Sequence, residues 1–539
     1  MPITVLDGST FCVCDERGDV DGAAAPSGFF AADTRFLSRS CLTLDGAPLE
    51  PLSVTQEAPH LAAFELRGSG LAVRRERFVG GGMEDRITVE NRGRRRVEAT
   101  LALELAADFA DIFAVKRVED LGAPGAELEP ARARCGIPAD GTIAFADESF
   151  PARTLVHLRP APAVPAAGTV TYPLALDPGE SWQLVVAVEP LLDGAEALDA
   201  GAFAARLRDA RREVDESLAA WRRSAPRVRA DWVDLVRAWD RSVEDLAALR
   251  MRWTGGGMVP AAGSPWFMTV FGRDTLITSL QTLTLGPELA ASALRVLAAT
   301  QATEDEPERD AEPGKIVHEI RRGKTALAWT DRYYGSVDST PLFLVLLSEL
   351  WRWTGDDGLV VELEQAARRA LAWLDGPGDR DGDGFVEYRR RASHGIDNQS
   401  WKDSGNSMVF RDGSLAQPPI APVEVQGYVY DAKLRTAELA REVWGDPGTA
   451  ARLEREAAEL RARFDAAFWL PELGCYALAL DREKRPLDVL ASNMGHLLWS
   501  GIVPPERVAA VAESLTSPPL WSGWGIRTLA AGQAAYDPL

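Results

Sequence analysis

The residues best suited to chemistry lie in one polar segment late in the chain, GIDNQSWKDSGNS at residues 395–407. It sets Trp401, Lys402 and Asp403 side by side, with Asp397 just upstream, and it contains a single aliphatic side chain. Lys402 is one of only six lysines in an arginine-rich chain, so it is not ordinary surface filler. Taken alone, the segment could also be a solvated loop.

The sequence that follows, PIAPVEVQGYVYDA, adds Glu424 and Gln426. Carboxyl groups, an aromatic ring and hydroxyl-binding polar groups in one region are what glycoside hydrolysis requires, because one carboxylic acid protonates the departing oxygen and a carboxylate activates water. The chain has no G-x-S-x-G elbow, no G-x-x-x-x-G-K-[ST] loop and no G-x-G-x-x-G after a strand. Esterase and nucleotide-dependent chemistries are therefore disfavoured.

An upstream loop, PWFMTVFGRDTLITSL, places Arg273 and Asp274 at the start of a predicted helix, near the rings of Trp266 and Phe271. An Arg and an Asp beside rings can hold sugar hydroxyls while the rings stack on the sugar face. The simpler alternative is that Asp274 caps the helix and Arg273 is an exposed charge.

A second loop, GKIVHEIRRGKTALAWTDRYYGSVDSTPLF, contains Glu319 directly after His318 and, further on, Asp338. The His-Glu pair lacks the second His of a zinc-protease helix, so a hydrogen-bonded structural histidine is the plainer interpretation. Asp338 precedes Ser-Thr-Pro341, which is also the pattern of an ordinary helix start.

A third stretch, DRDGDGFVEYRR, resembles the first half of an EF-hand loop, with Asp379, Asp381 and Asp383 at alternating positions and Gly384 at the sixth. The twelfth position is Arg390, where a calcium loop has a bidentate Glu. This pattern favours a tight Asp/Gly turn over a calcium site.

The hydrophobic pattern divides the chain into a β part and an α part. Short alternating stretches such as LAVRRERFV predict an N-terminal antiparallel β-sandwich at residues 1–200. Residues 201–230 form a predicted helical linker, and residues 231–539 form a helical domain with apolar residues every three or four positions. The helices predicted there are at residues 231–251, 274–285, 287–301, 339–353, 358–374, 423–444, 447–468, 489–500 and 505–515.

The composition, 46% hydrophobic and 26% charged, is that of a folded globular protein. The net charge of −21 repels phosphate backbones and anionic membranes, so neither nucleic acid nor a membrane is expected as a partner. Neutral sugars, stacking on some of the 16 Trp, fit better. Because no signal-peptide pattern is present and the cysteines are scattered, a cytoplasmic location is expected. The cysteines are Cys12, Cys14, Cys41, Cys135 and Cys475.

The motifs together resemble those of bacterial amylo-α-1,6-glucosidases, which are glycogen-debranching-type proteins. The ordered set is GFFAADTRFLSR, PWFMTVFGRDTL, GKIVHEIRRG, YYGSVDSTPLF, DNQSWKDSGNS, VEVQGYVYDA and SGWGIRTLA, spread over nearly the whole chain. The resemblance implies an N-terminal β-rich domain followed by an (α/α)6-barrel-type domain. We expect no cofactor and no catalytic metal.

By motif position, the resemblance implies an inverting glycosidase with Asp403 as the general acid. Arg273 and Asp274 would hold hydroxyls of the sugar at the point of cleavage. The family pattern often has an acidic residue where this chain has Asn406, and this difference would change the charge around Asp403. The other substrate-binding candidates are Trp266, Phe271, Glu319, Asp338, Asp397, Trp401, Lys402, Glu424 and Gln426.

An inverting mechanism needs a second carboxylate, about 6.5–9.5 Å from the acid. The resemblance implies that this general base lies in a segment beyond Leu539, and the predicted helices are fewer than the six pairs of a closed (α/α)6 barrel. We therefore expect a helical domain that is incomplete at its C-terminus, in a chain with little activity of its own. The alternative is that a local carboxylate, Glu319, Glu424 or Asp338, takes this role.

The expected function is hydrolysis of α-linked glucose in an oligosaccharide or polysaccharide, of the debranching type. Two alternatives stay open. One is a non-catalytic carbohydrate-binding protein that uses the same side chains. The other is the same barrel acting on another α-glycoside, such as a glycosyl glycerate or an α-rhamnoside. The linkage, the length of the substrate and the oligomeric state do not follow from the sequence.

Overall fold

The computed structural model describes two compact units. Met1–Val270 and Arg321–Asp331 form the first unit, and Phe271–Ile320 and Arg332–Leu539 form the second. The predicted domain limits at residues 200 and 230 stay a prediction. The described residues are 2–22, 26–120, 134–136, 142–147, 149–162, 168–192, 194–253 and 257–538, without the side chains of 118–120 and 134–136, so the predicted free thiol at Cys135 lies outside them.

The strands are short in the second unit and longer in the first. They are β1 Ile3–Asp7, β2 Thr10–Cys14, β3 Val20–Asp21, β4 Gly28–Ala31, β5 Thr34–Leu37, β6 Arg39–Leu44, β7 Ala47–Pro48, β8 Glu50–Ala58, β9 Leu61–Gly68, β10 Leu71–Val79, β11 Met83–Glu90, β12 Val97–Ala106, β13 Arg134–Gly136, β14 Ile143–Ala146, β15 Ala152–Arg159, β16 Thr169–Leu176, β17 Ser181–Leu192, β18 Arg250–Arg252, β19 Met258–Pro260, β20 Val270–Phe271, β21 Glu319–Ile320, β22 Arg332–Tyr333, β23 Ala421–Pro422, β24 Trp469–Leu470, β25 Cys475–Tyr476 and β26 Ala479–Leu480.

The helices lie mainly in the second half of the chain. They are α1 Ile112–Asp120, α2 Ala200–Ser224, α3 Val233–Ala248, α4 Gly272–Gln281, α5 Glu288–Ala299, α6 Gly323–Ala328, α7 Ser339–Thr354, α8 Asp357–Glu362, α9 Glu364–Leu374, α10 Val423–Glu442, α11 Pro447–Phe468, α12 Gly495–Ser500 and α13 Pro505–Thr516. No helix among the described residues is both long enough and apolar enough to cross a membrane.

Among the described residues, the first unit contains three larger antiparallel sheets and the two-stranded antiparallel sheet β18-β19. The three larger sheets form its β-rich part. Their strand orders are β13-β14-β15-β17-β11-β10-β9-β8, β16-β12-β6-β3 with β7 on β6, and β1-β2-β4-β5. Alternate residues of β12, from Ala99 to Leu105, are buried, and they share one hydrophobic core with Ile87 of the eight-stranded sheet. A period of two sends one face of each strand inward. The structure therefore confirms the predicted antiparallel β-rich N-terminal domain.

The segment Arg321–Asp331 lies far along the chain but belongs to the first unit. Arg321 donates to Asp33 Oδ1 at 3.1 Å, and the hydroxyl of Thr325 donates to the carbonyl of the same Asp33 at 3.1 Å. Gly323 approaches so closely, with φ +58°, that a Cβ there would lie 2.4 Å from the carbonyl oxygen of Ala32. These contacts explain why a glycine occupies this position of the GKIVHEIRRG motif.

The helices of the second unit have two packing roles. Helices α4, α7, α10 and α12 contact one another in that order, and each also contacts a helix that follows it, namely α5, α9, α11 and α13. The first eleven residues of α10 are all buried, whereas α11 buries a residue only every three or four positions. A helix that is covered on all sides is an inner one, and a helix with a single apolar stripe is an outer one.

Most of the predicted helices match the structure to within a few residues at each end. Two differ. The helix predicted at 358–374 is divided into α8 and α9 at Leu363, whose φ of −98° and ψ of 4° interrupt the helical geometry. The helix predicted at 489–500 begins with a 3-10 turn, Ser492–Met494, before α12.

The simple alternatives for Arg273 and Asp274 are wrong. Helix α4 begins at Gly272, two residues earlier than predicted, so Asp274 lies within the first turn and does not cap the helix. The start is set by tertiary contact, because the Gly272 amide donates to the carbonyl of His318 at 2.7 Å and a Cβ at this position would lie 2.0 Å from the carbonyl oxygen of Val317. Arg273 is only 8% exposed.

Candidate active site

The candidate site is built around the buried guanidinium of Arg273. Its Nη1 lies 3.0 Å from Asp338 Oδ2 and also donates to the carbonyl of Ser400 at 3.1 Å, while Nη2 lies 3.2 Å from Asp403 Oδ2. Asp274 Oδ2 is 3.9 Å from Nε. One arginine therefore holds three carboxylates that are separated widely in the chain.

These groups meet because the inner helices begin at one place. Arg273 and Asp274 lie in the first turn of α4, Asp338 immediately precedes α7, and Glu424 lies in the first turn of α10. The amide hydrogens of a helix N-terminus attract negative charge, which favours carboxylates at these positions. His496, at the start of α12, completes the set.

Asp338 occupies the predicted cap position of α7, but its side chain makes no capping hydrogen bond. It is fully buried and accepts instead from the hydroxyl of Ser336 and from Arg273. Pro341 lies in the first turn, as predicted. The Asp338 carboxylate therefore binds groups of the candidate site and does not cap α7.

Asp403 differs from its acidic neighbours in exposure. Its side chain is 44% exposed, whereas that of Asp338 is completely buried. Only one of its oxygens, Oδ2, is bound by Arg273. A carboxyl group anchored on one side and open to solvent on the other has the geometry that a proton donor to a substrate requires.

The polar segment at residues 395–407 is held in place by its own side chains. Asn398 accepts from the Tyr388 hydroxyl at 2.7 Å and donates to the carbonyl of Ser404 at 2.7 Å. Gln399 donates to Asp310 Oδ2 at 2.9 Å, and its backbone carbonyl accepts from the Val337 amide at 2.8 Å. The segment is thus a fixed loop and not a solvated one, because both sides of Asp403 are tied to buried groups.

The charges around Arg273 affect one another. Burial opposes the charge of Arg273, but Asp338, Asp274 and Asp403 together raise its pKa well above the usual value. Burial raises the pKa of Asp274, an effect that Arg273 reduces and that Asp338 adds to. The site therefore keeps a permanent cation beside a group of carboxylates.

Glu424, like Asp338, is a completely buried carboxyl group near the site. It is 0% exposed, its Oε2 accepts from the Asn493 amide at 2.9 Å, and its Oε1 has no hydrogen-bond partner in the part of the chain that the structure describes. Burial raises its pKa to about 7, Asn493 and Lys402 lower it, and Asp338 raises it. The pair Lys402 and Glu424 interacts electrostatically, since burial lowers the pKa of Lys402 to about 8 and Glu424 raises it.

Replacing Glu424 by Gln should remove a pH dependence of stability. The native pKa of about 7 exceeds the ordinary value of 4.5. The stabilisation by the protonated group is therefore fully present below pH 4.5 and is lost as the pH rises through 7, a change of about 3 kcal/mol. As the pH rises through this range, the unfolding free energy of the wild type should fall by this amount, whereas Glu424→Gln should lack this fall. Urea unfolding at a series of pH values measures the difference between the two proteins. The exposed Glu459→Gln is the matched control, and an equal pH dependence in the wild type and Glu424→Gln would contradict the prediction.

A group of rings lies behind Trp401. The Trp401 ring meets His496 edge-on, with centroids 4.7 Å apart, and His496 Nδ1 is 2.7 Å from the Tyr428 hydroxyl. Burial lowers the pKa of His496, which favours the neutral ring, and Nδ1 of that ring shares one hydrogen bond with the Tyr428 hydroxyl. Tyr428 also contacts Trp499, with centroids 5.9 Å apart. His496 therefore sets the orientation of Trp401, which precedes Lys402 and Asp403 in the chain.

The variant His496→Asn tests this orientation. Asn retains a polar atom for the Tyr428 hydroxyl but loses the ring that contacts Trp401 (an aromatic pair contributes roughly 0.5–1.5 kcal/mol). We expect KM for the sugar substrate to rise by roughly 2- to 10-fold with kcat nearly unchanged, which steady-state kinetics would measure. His394→Asn, at an exposed position, is the control. A fall in kcat with unchanged KM would show that His496 does not act through substrate binding.

The remaining predicted residues have other surroundings. Asp397 is exposed and pairs with Arg390 at 2.6 Å. The Gln426 side chain binds the backbone of Val386, accepting at 3.1 Å and donating at 2.7 Å. Phe271 packs edge-on against His318 with centroids 5.5 Å apart, Glu319 is buried in β21, and Trp266 belongs to the first unit.

Sequence reasoning missed His496, Asn493 and Thr528. Lys402 donates to the carbonyl of Thr528, which lies in the SGWGIRTLA motif. Their only sequence signals are that His is rare, with five in the chain, and that Thr528 falls in a motif without a stated role. Neither signal indicates which side chain each residue contacts.

Two family models match the chain. Residues 5–187 match the N-terminal domain of (some) glycogen debranching enzymes, and residues 273–539 match the mannosylglycerate hydrolase MGH1-like glycoside hydrolase domain. The protein is a glycoside hydrolase with a debranching-enzyme-type N-terminal domain. The hydrolase domain begins at Arg273, the residue at the centre of the site. No curated protein sequence matches the chain.

Solved structures show the fold of this glycoside hydrolase. A bacterial glucoamylase complexed with acarbose is similar over 96% of this chain and 78% of its own, with 9% identity and a TM-score of 0.57. The hydrolase therefore has a β-rich domain followed by a helical domain of the glucoamylase-like (α/α)6 barrel fold, as predicted. A GH63 mannosylglycerate hydrolase from Thermus thermophilus, in complex with Tris, covers 56% of this chain and 81% of its own, with 15% identity and a TM-score of 0.41, a similarity too loose to bear on the fold.

Proposed function

We propose that this glycoside hydrolase cleaves α-linked glucose from an oligosaccharide or polysaccharide branch, with inversion, and that Asp403 is its general acid. The observation that carries the proposal is the hold of Arg273 on Asp403, which leaves one oxygen of a half-exposed carboxyl group free beside buried acidic groups. Such a group can carry a proton to the departing oxygen while the arginine fixes its direction.

The choice of a neutral substrate is supported by charge. Near the site, Arg273 is already engaged by carboxylates, and Lys402 donates to a backbone carbonyl. An anionic aglycone such as glycerate would meet the carboxylates of Asp274, Asp338, Asp403 and Glu424, whereas Arg273 and Lys402 already have partners among the described residues. The N-terminal match to debranching enzymes and the likeness to a glucoamylase with acarbose bound point the same way.

The general base that the resemblance implies beyond Leu539 stays a prediction, and among the three local alternatives we propose Glu424 as the second carboxylate. Asp338 is engaged by Arg273 and Ser336. Glu319 lies in strand β21, whereas Glu424 lies in the first turn of α10, at the place where the inner helices begin. Glu424 has an oxygen without a protein partner among the described residues, and a carboxylate with a pKa of about 7 is well matched to removing a proton from water at neutral pH. Trp401 would stack on the sugar, and Arg273 and Asp274 would hold its hydroxyls.

A product analysis tests this function. The purified protein is incubated with a maltooligosaccharide that carries an α-1,6-linked glucose, and the anomeric proton of the released glucose is followed by NMR. We expect the β-anomer first, because inversion turns an α-linkage into a β-product. Initial release of the α-anomer would contradict inversion. Turnover of a glucosyl glycerate or an α-rhamnoside alone would contradict the substrate, and binding without turnover would favour a carbohydrate-binding protein.

We also propose that the protein acts in the cytoplasm. Among the described residues, Cys12, Cys14, Cys41 and Cys475 are free cysteines. Thiols of this kind persist in a reducing compartment.

A further inference from the structure

Residues 379–387 form the turn that resembles an EF-hand loop, and none of them belongs to the candidate active site. We call it the acidic turn. Carboxylate oxygens of Asp379, Asp381 and Asp383 lie within 4.8 Å of one another. Asp379 accepts from the Gly382 amide at 2.9 Å and from the Gly384 amide at 3.0 Å, and Gly384 has a φ of +89°. The backbone therefore curls as in a calcium loop, in which a glycine at the sixth position makes the sharp turn.

A cation already lies within this turn, and it belongs to the protein. The ammonium of Lys484 is 2.9 Å from Asp381 Oδ2, 2.7 Å from Asp383 Oδ2 and 2.9 Å from Glu387 Oε2. These carboxylates stand at the third, fifth and ninth positions of the loop, which are ligand positions in a calcium loop. An ammonium that contacts three carboxylates takes the place of a metal ion in charge balance.

The backbone around Lys484 fixes the position of its ammonium. Lys484 adopts the left-handed backbone conformation, with a φ of +57°, which is unusual for a residue other than glycine. The turn that carries it is closed by Asp481, whose Oδ1 accepts from the amides of Glu483 and Arg485 at 3.0 and 2.9 Å. A strained backbone held by such bonds indicates that the position of the ammonium matters.

The Oε1 oxygen of Glu387 indicates that the turn can bind an ion that takes more oxygen ligands than an ammonium does. Glu387 is 1% exposed, and its Oε1 is without a hydrogen-bond partner among the residues that the structure describes. Lys484 offers only three N–H donors, which Asp381, Asp383 and Glu387 Oε2 already use. A divalent cation binds six to eight oxygens and could use both oxygens of Glu387.

We propose that the acidic turn is a cation site whose resident cation is the ammonium of Lys484, and that loss of this ammonium converts it into a divalent-cation site of the calcium class. The ligands are then the carboxylates of Asp379, Asp381, Asp383 and Glu387. The twelfth position is Arg390, which supplies no ligand. In the wild type, the ammonium of Lys484 balances the negative charge of the carboxylates that a bound metal ion would otherwise balance.

The site matters for the hydrolase because it is connected to the catalytic region. Val386, within the turn, exchanges two hydrogen bonds with Gln426 of α10, two residues from Glu424. Tyr388, just after the turn, donates to Asn398 in the polar segment at 395–407. A cation that is part of the chain keeps these connections independent of the calcium concentration.

Calcium titration of the wild type and of Lys484→Met tests the proposal. The wild type should bind no calcium in calorimetry, and its Tm should be the same in EDTA and in millimolar calcium. Lys484→Met should lose about 3 °C or more of Tm in EDTA. Calcium should restore that loss and bind at one site with a Kd of about 10⁻⁵ to 10⁻³ M.

Two variants serve as controls. Lys433 contacts Glu456 at 2.7 Å and also pairs with Asp375, so Lys433→Met removes a lysine from carboxylates that are not in a calcium-type loop, and its Tm should not respond to calcium. Lys484→Arg keeps the cation and should bind no calcium. Stoichiometric calcium binding by the wild type would overturn the proposal, and this measurement stands even if Lys484→Met does not fold. A folded Lys484→Met variant that binds no calcium and whose Tm does not change with calcium would overturn the proposal as well.

Discussion

Replacing Asp403 by Asn is expected to lower kcat for release of α-1,6-linked glucose by about 10³-fold, within the usual contribution of a general acid. Asn keeps an oxygen for Arg273, which now binds Asp403 Oδ2 at 3.2 Å, so the loop should stay in place. Because the side chain is 44% exposed, the free energy of unfolding should change by no more than about 0.5 kcal/mol. Steady-state kinetics and urea unfolding measure the two effects.

A change of leaving group separates the acid from the other roles that Asp403 could have. Fluoride departs with little help from an acid, so Asp403→Asn should hydrolyse α-glucosyl fluoride far better, relative to wild type, than the oligosaccharide. Glu424→Gln should lose both activities, because a general base is needed with either leaving group. Asp412→Asn, at an exposed turn after the polar segment, is the control and should behave as wild type. Equal losses on both substrates in Asp403→Asn would show that Asp403 is not the acid.

Replacing Arg273 by Met should have the largest effect on stability. The substitution leaves the fully buried Asp338 without its cation, and an uncompensated buried charge costs about 3–5 kcal/mol. Activity should fall as well, because Asp403 loses the contact that directs it. Arg273→Lys keeps the charge but cannot reach Asp338, Asp403 and the Ser400 carbonyl at once, so it should be more stable than Arg273→Met and still impaired in kcat.

The matched control for Arg273 is Arg295, an exposed arginine with two-pronged contact to Glu362. Arg295→Met should cost less than about 1 kcal/mol, since an exposed ion pair contributes little. If Arg273→Met unfolds at the urea concentration of Arg295→Met, the buried ion-pair account is wrong. Loss of activity without loss of stability would leave Arg273 as a substrate-binding residue only.

The sequence was sufficient to predict the parts of this hydrolase that depend on neighbouring residues. The strands of the first unit follow from alternation of apolar residues, and α11 follows from its spacing of three or four, because such periods report which face of an element is buried. Local pattern also placed Asp403 and Arg273 among polar loops. It placed the start of α4 two residues late, since that start depends on the contact of Gly272 with Val317.

Pairing across the chain could not be predicted in the same way. Arg273 is 65 residues from Asp338 and 130 residues from Asp403, and only the packing of the inner helices and of the polar segment at 395–407 brings these side chains together. The contact of Trp401 with His496 and that of Lys484 with the acidic turn have the same origin.

What the sequence by itself determined is therefore the set of elements, the residue types and the class of chemistry. What only the tertiary structure decided is which carboxylate is buried, which is exposed and which cation holds it. The physical reason is that periodicity and capping act over one or two turns, whereas the pKa and the direction of a side chain depend on groups that the fold brings near from anywhere in the chain.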